Sequence, residues 1–219
     1  MKYWGLITLA LYLVYLVLIT IGYCAAVGVE IGELAWDSEP LWFWLWLGLM
    51  LLSQAILLFV PVSIAERRPV RHRSLLWSII GSAGLIGLML AIAAWSMTAA
   101  VWGEGNNPLD TWPRILTVLG LSWLIWAILF HRMLKHREPQ QTIDRLTRWL
   151  LGGSILELLV AVPCHVIVRQ RHYCCAPAIT GVGIATGLAV MLMSFGPGIF
   201  CLFVARARRL KPPSPKAPR

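Results

Sequence analysis

The segment Ser74–Trp102, SLLWSIIGSAGLIGLMLAIAAWSMTAAVW, decides the fold class of this protein. It carries no charged side chain, and it is longer than the about 20 mostly apolar residues that a helix needs to cross a bilayer. A strand of a membrane β-barrel would instead alternate apolar and polar residues over about 10 positions. A helix satisfies its backbone hydrogen bonds within one segment, so we expect a transmembrane helix here.

Five further stretches of the chain have the same apolar character. They lie at Tyr3–Cys24, Leu41–Ala65, Ile115–Leu134, Thr147–Val168 and Ile179–Ala205. We therefore predict an all-α polytopic membrane protein, a bundle of six transmembrane helices in one domain at residues 1–205. A basic, Pro-rich cytoplasmic tail is expected at residues 206–219. The first stretch is interpreted as an uncleaved helix, because the apolar part of a signal peptide usually spans only about 7–15 residues.

The overall composition agrees with a membrane protein. Of 219 residues, 58% are hydrophobic and 13% are charged, whereas about 25% are charged in a typical soluble domain. Mean hydropathy is +0.72. These values exclude a soluble or disordered protein, despite a net charge of +9.

The distribution of charge predicts the orientation of the bundle. Of the 19 Lys and Arg residues, all but Arg114, Arg169 and Arg171 lie at the N-terminus, in alternate loops or in the tail. Under the positive-inside rule, both termini are cytoplasmic. We expect a multi-pass protein of the cell membrane, most simply a bacterial inner membrane. Its basic cytoplasmic face would bind anionic lipid headgroups, and the basicity therefore calls for no nucleic acid partner.

One acidic residue lies in the middle of a predicted span. Glu157 is about 16 Å from either end of the fifth stretch. A charge at that depth costs at least ~2.5–3.5 kcal/mol, so such residues usually face the bundle and have a role. Two interpretations of Glu157 remain open. In the functional one it is a proton carrier, an ion ligand or a cofactor partner. In the structural one it is a neutral acid that fixes helix packing by a hydrogen bond to Gln54, Ser154 or a backbone carbonyl.

Spacing along the fifth helix defines the face on which Glu157 lies. Cys164 follows seven residues later, which places it only about 20° away around a helix. Ser154 and Ala161 occupy the same stripe, and small side chains allow a neighbouring helix to approach closely. This face is predicted to point into the bundle.

Cysteine and histidine side chains are concentrated near the predicted outer face. The group consists of Cys24, Cys164, His165, His172, Cys174 and Cys175. Three interpretations remain open besides free thiols. Disulfides of an oxidising compartment would tie the outer loop to the helix ends. A thiol–disulfide relay would exchange electrons with a membrane quinone, although no Cys-x-x-Cys is present. A metal site would hold zinc or copper through Cys and His ligands.

The sixth stretch contains a helix-breaking sequence at Gly196-Pro197-Gly198. Proline removes a backbone hydrogen bond, and non-helical backbone within a membrane is tolerated only where it is buried or lines a cavity. We expect either a kink that improves packing or a break at a binding site.

The chain contains none of the motifs that identify a reaction: no nucleotide-binding loop, nucleophile elbow, His-Glu-x-x-His or paired-carboxylate motif. The sequence therefore favours a non-enzymatic role, either an accessory subunit that associates with other membrane protein subunits or a small carrier. The alternative function is a membrane thiol–disulfide oxidoreductase coupled to quinone, with Cys164, Cys174 and Cys175 as its thiols.

Overall fold

The computed structural model describes residues 2–28, 30, 32, 40–65, 72–103, 108–109, 111–134, 139–170 and 180–195, and these residues contain helices and no strand. The helices are α1 (Lys2–Val27), α2 (Pro40–Ala65), α3 (His72–Trp102), α4 (Trp112–Leu134) and α5 (Pro139–Gln170), followed by α6 (Thr180–Phe195). The tail at residues 206–219 lies outside the described residues.

Four of these helices, α1, α3, α4 and α5, are long and apolar enough to cross a membrane. The described parts of α2 and α6 contain shorter apolar segments, Phe43–Leu58 and Thr180–Phe195. The all-α class expected from the sequence is thus confirmed for the described residues, together with the apolar character of a multi-pass membrane protein.

α6 lies in the centre of the bundle. The Tyr12 hydroxyl of α1 donates a hydrogen bond to the Ala189 carbonyl, 3.1 Å away, and the Trp46 indole of α2 donates to the Thr186 hydroxyl at 3.1 Å. Small side chains permit this central position because they let neighbouring backbones approach closely. The small residues of α6 that are buried are Thr180, Gly181, Gly183, Thr186, Gly187, Ala189 and Ser194.

α5 and α6 run antiparallel along their common length. His165 Nδ1 is 2.8 Å from Thr180 Oγ1 at one end of the contact. A Cβ atom on Gly187 would lie 3.0 Å from Leu158 at the other end. An alanine at Gly187 would therefore crowd the Leu158 side chain, which would have to shift for the two helices to pack at this distance.

α4 packs on the outside of the bundle, against α3. A Cβ atom on Gly87 would lie 3.1 Å from the backbone nitrogen of Trp123, and the Trp123 indole donates a hydrogen bond to the Ile80 carbonyl at 3.1 Å. The rest of α4 is mostly exposed, as expected for a helix whose outer surface contacts lipid.

α5 begins at Pro139, earlier than the boundary at Thr147 predicted from hydropathy. Proline is well placed in a first turn, where its missing N–H has no intrahelical partner to lose. The first two turns are amphipathic: Ile143 and Leu146 are buried, while Asp144 is exposed. Because these turns have a polar face, hydropathy alone places the N-terminus of α5 several residues after Pro139.

Candidate functional site

Glu157 is buried in the middle of α5, with only 2% of its surface exposed. Ser154, Ala161 and Cys164 are also buried, as their helical spacing predicts. The stripe faces α3 and α6: a Cβ atom on Gly183 would lie 3.4 Å from the Ala161 Cβ atom, and Cys164 packs against Ala100 of α3.

The Glu157 carboxyl group has no hydrogen-bond partner among the described residues, for either oxygen. The packing alternative of the sequence analysis, a bond to Gln54, Ser154 or a backbone carbonyl, is thus not present among the described residues. The Ser154 hydroxyl donates instead to the Leu151 carbonyl at 2.8 Å, within its own helix. Gln54 is buried, and its Oε1 also lacks a partner in the described part of the chain.

Glu157 lines a cavity of about 920 Å³ between α3, α4 and α5. Most of its wall is apolar, and α5 contributes more of the lining residues than α3 does. The residues from α3 are Ile86, Met89, Leu90, Ala93, Ala94 and Met97. α4 supplies Trp126, whose ring centroid is 5.6 Å from that of Trp149 on α5. A cavity of this kind, largely apolar with a few polar groups, is typical of a small-molecule site.

One end of the cavity is polar. Gln141, Asp144, Arg145 and Arg148 lie there, in the first turns of α5. Arg148 forms an ion pair with Asp144, with 2.8 Å between Nη2 and Oδ2. Because both side chains are largely exposed, we expect this pair to orient the Arg148 side chain and to add little to the stability of the fold.

This cavity was not predicted from the sequence, although the small residues of α3 and α5 are a signal for it. Gly152 and Gly153 on α5 and Ala93 and Ala94 on α3 all line the cavity. Adjacent small residues on two packed helices leave a volume that larger side chains would fill. A Cβ atom on Gly152 would meet no other atom within 4 Å, which shows that the space beside it is open.

The two cysteines in the described part of the chain, Cys24 and Cys164, are free and buried. Neither therefore forms a disulfide bond in this structure. Cys164 packs among apolar side chains, Ala100, Val160 and Val168, whereas reactive thiols usually lie in partly exposed, electropositive surroundings. His172, Cys174 and Cys175, which the cluster hypothesis also requires, lie outside the described residues.

His165 is the one remaining member of the expected cluster that the structure describes. It is adjacent to Cys164 in sequence and pairs with Thr180 at the start of α6. The described residues contain no group of three or more His, Cys, Asp or Glu side chains arranged to hold a metal ion. The helix break expected at Gly196, Pro197 and Gly198 also falls outside the described residues.

No protein-family model, curated protein or solved structure matches this chain.

Proposed function

We propose that this protein is a small multi-pass membrane carrier whose binding site is the cavity beside Glu157. The observation that supports the proposal is a carboxyl group, 2% exposed and without a protein partner in the described part of the chain, at the wall of a 920 Å³ cavity. The sequence favours two non-enzymatic roles, an accessory subunit and a small carrier. An accessory subunit needs no such cavity, so the cavity favours the carrier.

The energetic argument for a binding role is direct. A buried polar group without a hydrogen bond costs the fold on the order of 1–3 kcal/mol. A ligand or proton that reaches Glu157 through the cavity would supply the missing interaction. Ionisable side chains in the membrane interior commonly mark proton relays and solute pathways for this reason.

The proposed membrane arrangement has six spans, with both termini in the cytoplasm of a bacterium and the chain in its inner membrane. The charge distribution supports it, since Lys and Arg concentrate in the loops that would be cytoplasmic. In this arrangement Glu157 lies near the bilayer midplane. The polar end of the cavity, with Arg145 and Arg148, then lies at the cytoplasmic surface.

Proton flux into proteoliposomes tests the function. The purified protein is reconstituted with a trapped pH-sensitive dye, and a potassium diffusion potential drives proton entry. We expect flux above that of empty vesicles for the wild type and none above it for Glu157→Gln, because an amide cannot take up and release the proton. Glu30→Gln, which removes an exposed acid outside the cavity, should retain wild-type flux.

A carbodiimide assay separates a failed reconstitution from a wrong site. Dicyclohexylcarbodiimide is apolar and reacts with carboxylic acids in apolar surroundings, so it should modify the peptide that contains Glu157, detected by mass spectrometry. Glu30 should remain unmodified because it is exposed. Wild-type flux in a folded Glu157→Gln protein would contradict the proposal, whereas unlabelled Glu157 would show that the cavity does not admit an apolar reagent.

A further inference from the structure

The cavity beside Glu157 is a long groove rather than a round pocket. Its lining on α5 extends from Gln141 to Val160, which at 1.5 Å per residue is about 28 Å. From Arg145 to Glu157 the distance along the helix is about 18 Å. That distance is close to one leaflet of a bilayer whose hydrocarbon core is about 30 Å thick. The part of the groove between Arg145 and Glu157 therefore has about the length of one lipid chain in one leaflet.

The groove opens sideways, toward the surface that would face lipid. Met97 on α3 is 54% exposed and Leu156 on α5 is 56% exposed, and both line it. Trp149 also lines the groove and is 41% exposed. A water-soluble solute would have to enter past hydrocarbon at this edge, whereas a membrane lipid is already there.

The chemistry of the groove is that of an amphiphile site. Its apolar length fits a hydrocarbon chain, and its polar end presents two guanidinium groups, Arg145 and Arg148. Among the described residues that line this end, Asp144 is the one acidic side chain, and it pairs with Arg148 at 2.8 Å. The net charge of these three side chains is positive. Guanidinium groups bind phosphate oxygens well, since their fixed donors match that geometry.

We infer that the groove binds one anionic phospholipid, with its headgroup at Arg145 and Arg148 and a hydrocarbon chain along α3 toward Glu157. The inference deepens the proposed function, because it names the class of molecule that enters the cavity. It rests on the shape and charge of the groove and does not require that Glu157 exchange a proton.

Native mass spectrometry tests the inference. The full chain is reconstituted into nanodiscs that contain phosphatidylglycerol and phosphatidylcholine in equal amounts, released, and analysed for retained lipid. We expect the wild type to retain phosphatidylglycerol preferentially. The Arg145→Gln, Arg148→Gln double variant should lose roughly fivefold of that preference per arginine. Arg169→Gln, a charge removed from the opposite end of α5, should retain it.

A second pair of variants tests whether the lipid lies in the groove or only in the surrounding headgroup layer. A Cβ atom at Gly152 would meet no atom within 4 Å, so Gly152→Leu should place a side chain in the open space of the groove and abolish retention. Gly120→Leu on α4 also meets open space but lies outside the groove lining; it should retain lipid as the wild type does.

Three results would overturn the inference: equal retention of both lipids by the wild type, wild-type retention by Gly152→Leu, or displacement of the lipid by inorganic phosphate, which would identify a site for the free anion. Glu157→Gln should lose proton flux and still retain phosphatidylglycerol. Failure of the lipid inference is thereby distinguished from failure of the carrier function.

Discussion

Oε2 of Glu157 on α5 lies 3.4 Å from the position that a Cβ atom would take on Gly187 of α6. The Glu157 carboxyl group thus lies beside the backbone of α6 at Gly187. The same glycine admits Leu158, whose Cγ and Cδ2 atoms would both be 3.0 Å from that Cβ atom. Gly187 is therefore the point at which α6 packs closely against both Glu157 and Leu158 of α5.

Gly187→Ala should destabilise the protein by about 1–3 kcal/mol, because overpacking forces neighbouring side chains from their preferred positions. Gly48→Ala on α2 is the matched control, since a Cβ atom there meets no atom within 4 Å, and it should change stability little. Unfolding by SDS titration, followed by circular dichroism, measures both variants. Equal stability of the two would show that α5 and α6 pack less tightly than described.

Glu157→Leu should leave the free energy of unfolding unchanged or raise it. Both carboxyl oxygens lack a partner in the described structure, and exchanging an unpaired polar group for an apolar one of similar size loses no hydrogen bond. The same variant should show no proton flux. A loss of about 1–2 kcal/mol would instead identify Glu157 as a packing residue with a hydrogen bond of the strength seen in membranes.

Tyr12→Phe should lower stability by about 0.6 kcal/mol, the average for interhelical hydrogen bonds in membranes. The Tyr12 hydroxyl, on a side chain only 3% exposed, connects α1 to the Ala189 carbonyl of α6. Tyr15→Phe, on the same helix but at a position 46% exposed, provides the control and should have no effect. Thermal unfolding of the pair in one detergent checks the difference.

Cys24 and Cys164 should be alkylated after denaturation without any reductant, since both are free in the structure. In the folded protein both should react slowly with maleimide because both are buried. Mass spectrometry of the modified peptides reads out each site. If Cys164 reacted only after reduction, it would be bonded to a loop cysteine, and the disulfide or redox interpretation of the outer cluster would gain support.

Single cysteines introduced on each side of the bundle, in a cysteine-free background, test the proposed orientation. A membrane-impermeant maleimide added to intact cells should modify the positions expected outside, which are residues 37, 107 and 171. It should fail to modify the positions expected inside, which are residues 71, 136 and 211. Labelling at residue 71 or no labelling at residue 171 would contradict the six-span arrangement, since each would place a loop on the opposite side.

Much of the fold could be read from local properties of the sequence. An apolar run such as Ser74–Trp102 forms a helix whatever its neighbours are, because the membrane interior leaves the backbone few alternatives. The burial of Glu157 could be inferred in the same way, from the cost of exposing a carboxyl group to lipid. The helical period then identified Ser154, Ala161 and Cys164 as members of the same buried face.

Neighbour relationships could not be read in this way, and the site depends on them. The sequence determined that this chain forms long apolar helices and that Glu157 faces inward. The tertiary structure decided that α6 lies at the centre, that Glu157 meets Gly187 rather than Gln54, and that a groove runs between α3, α4 and α5. The physical reason is that the helices are similarly apolar, so hydropathy does not distinguish one partner from another. The arrangement is set instead by the fit of small residues such as Gly87, Gly183 and Gly187 against neighbouring helices.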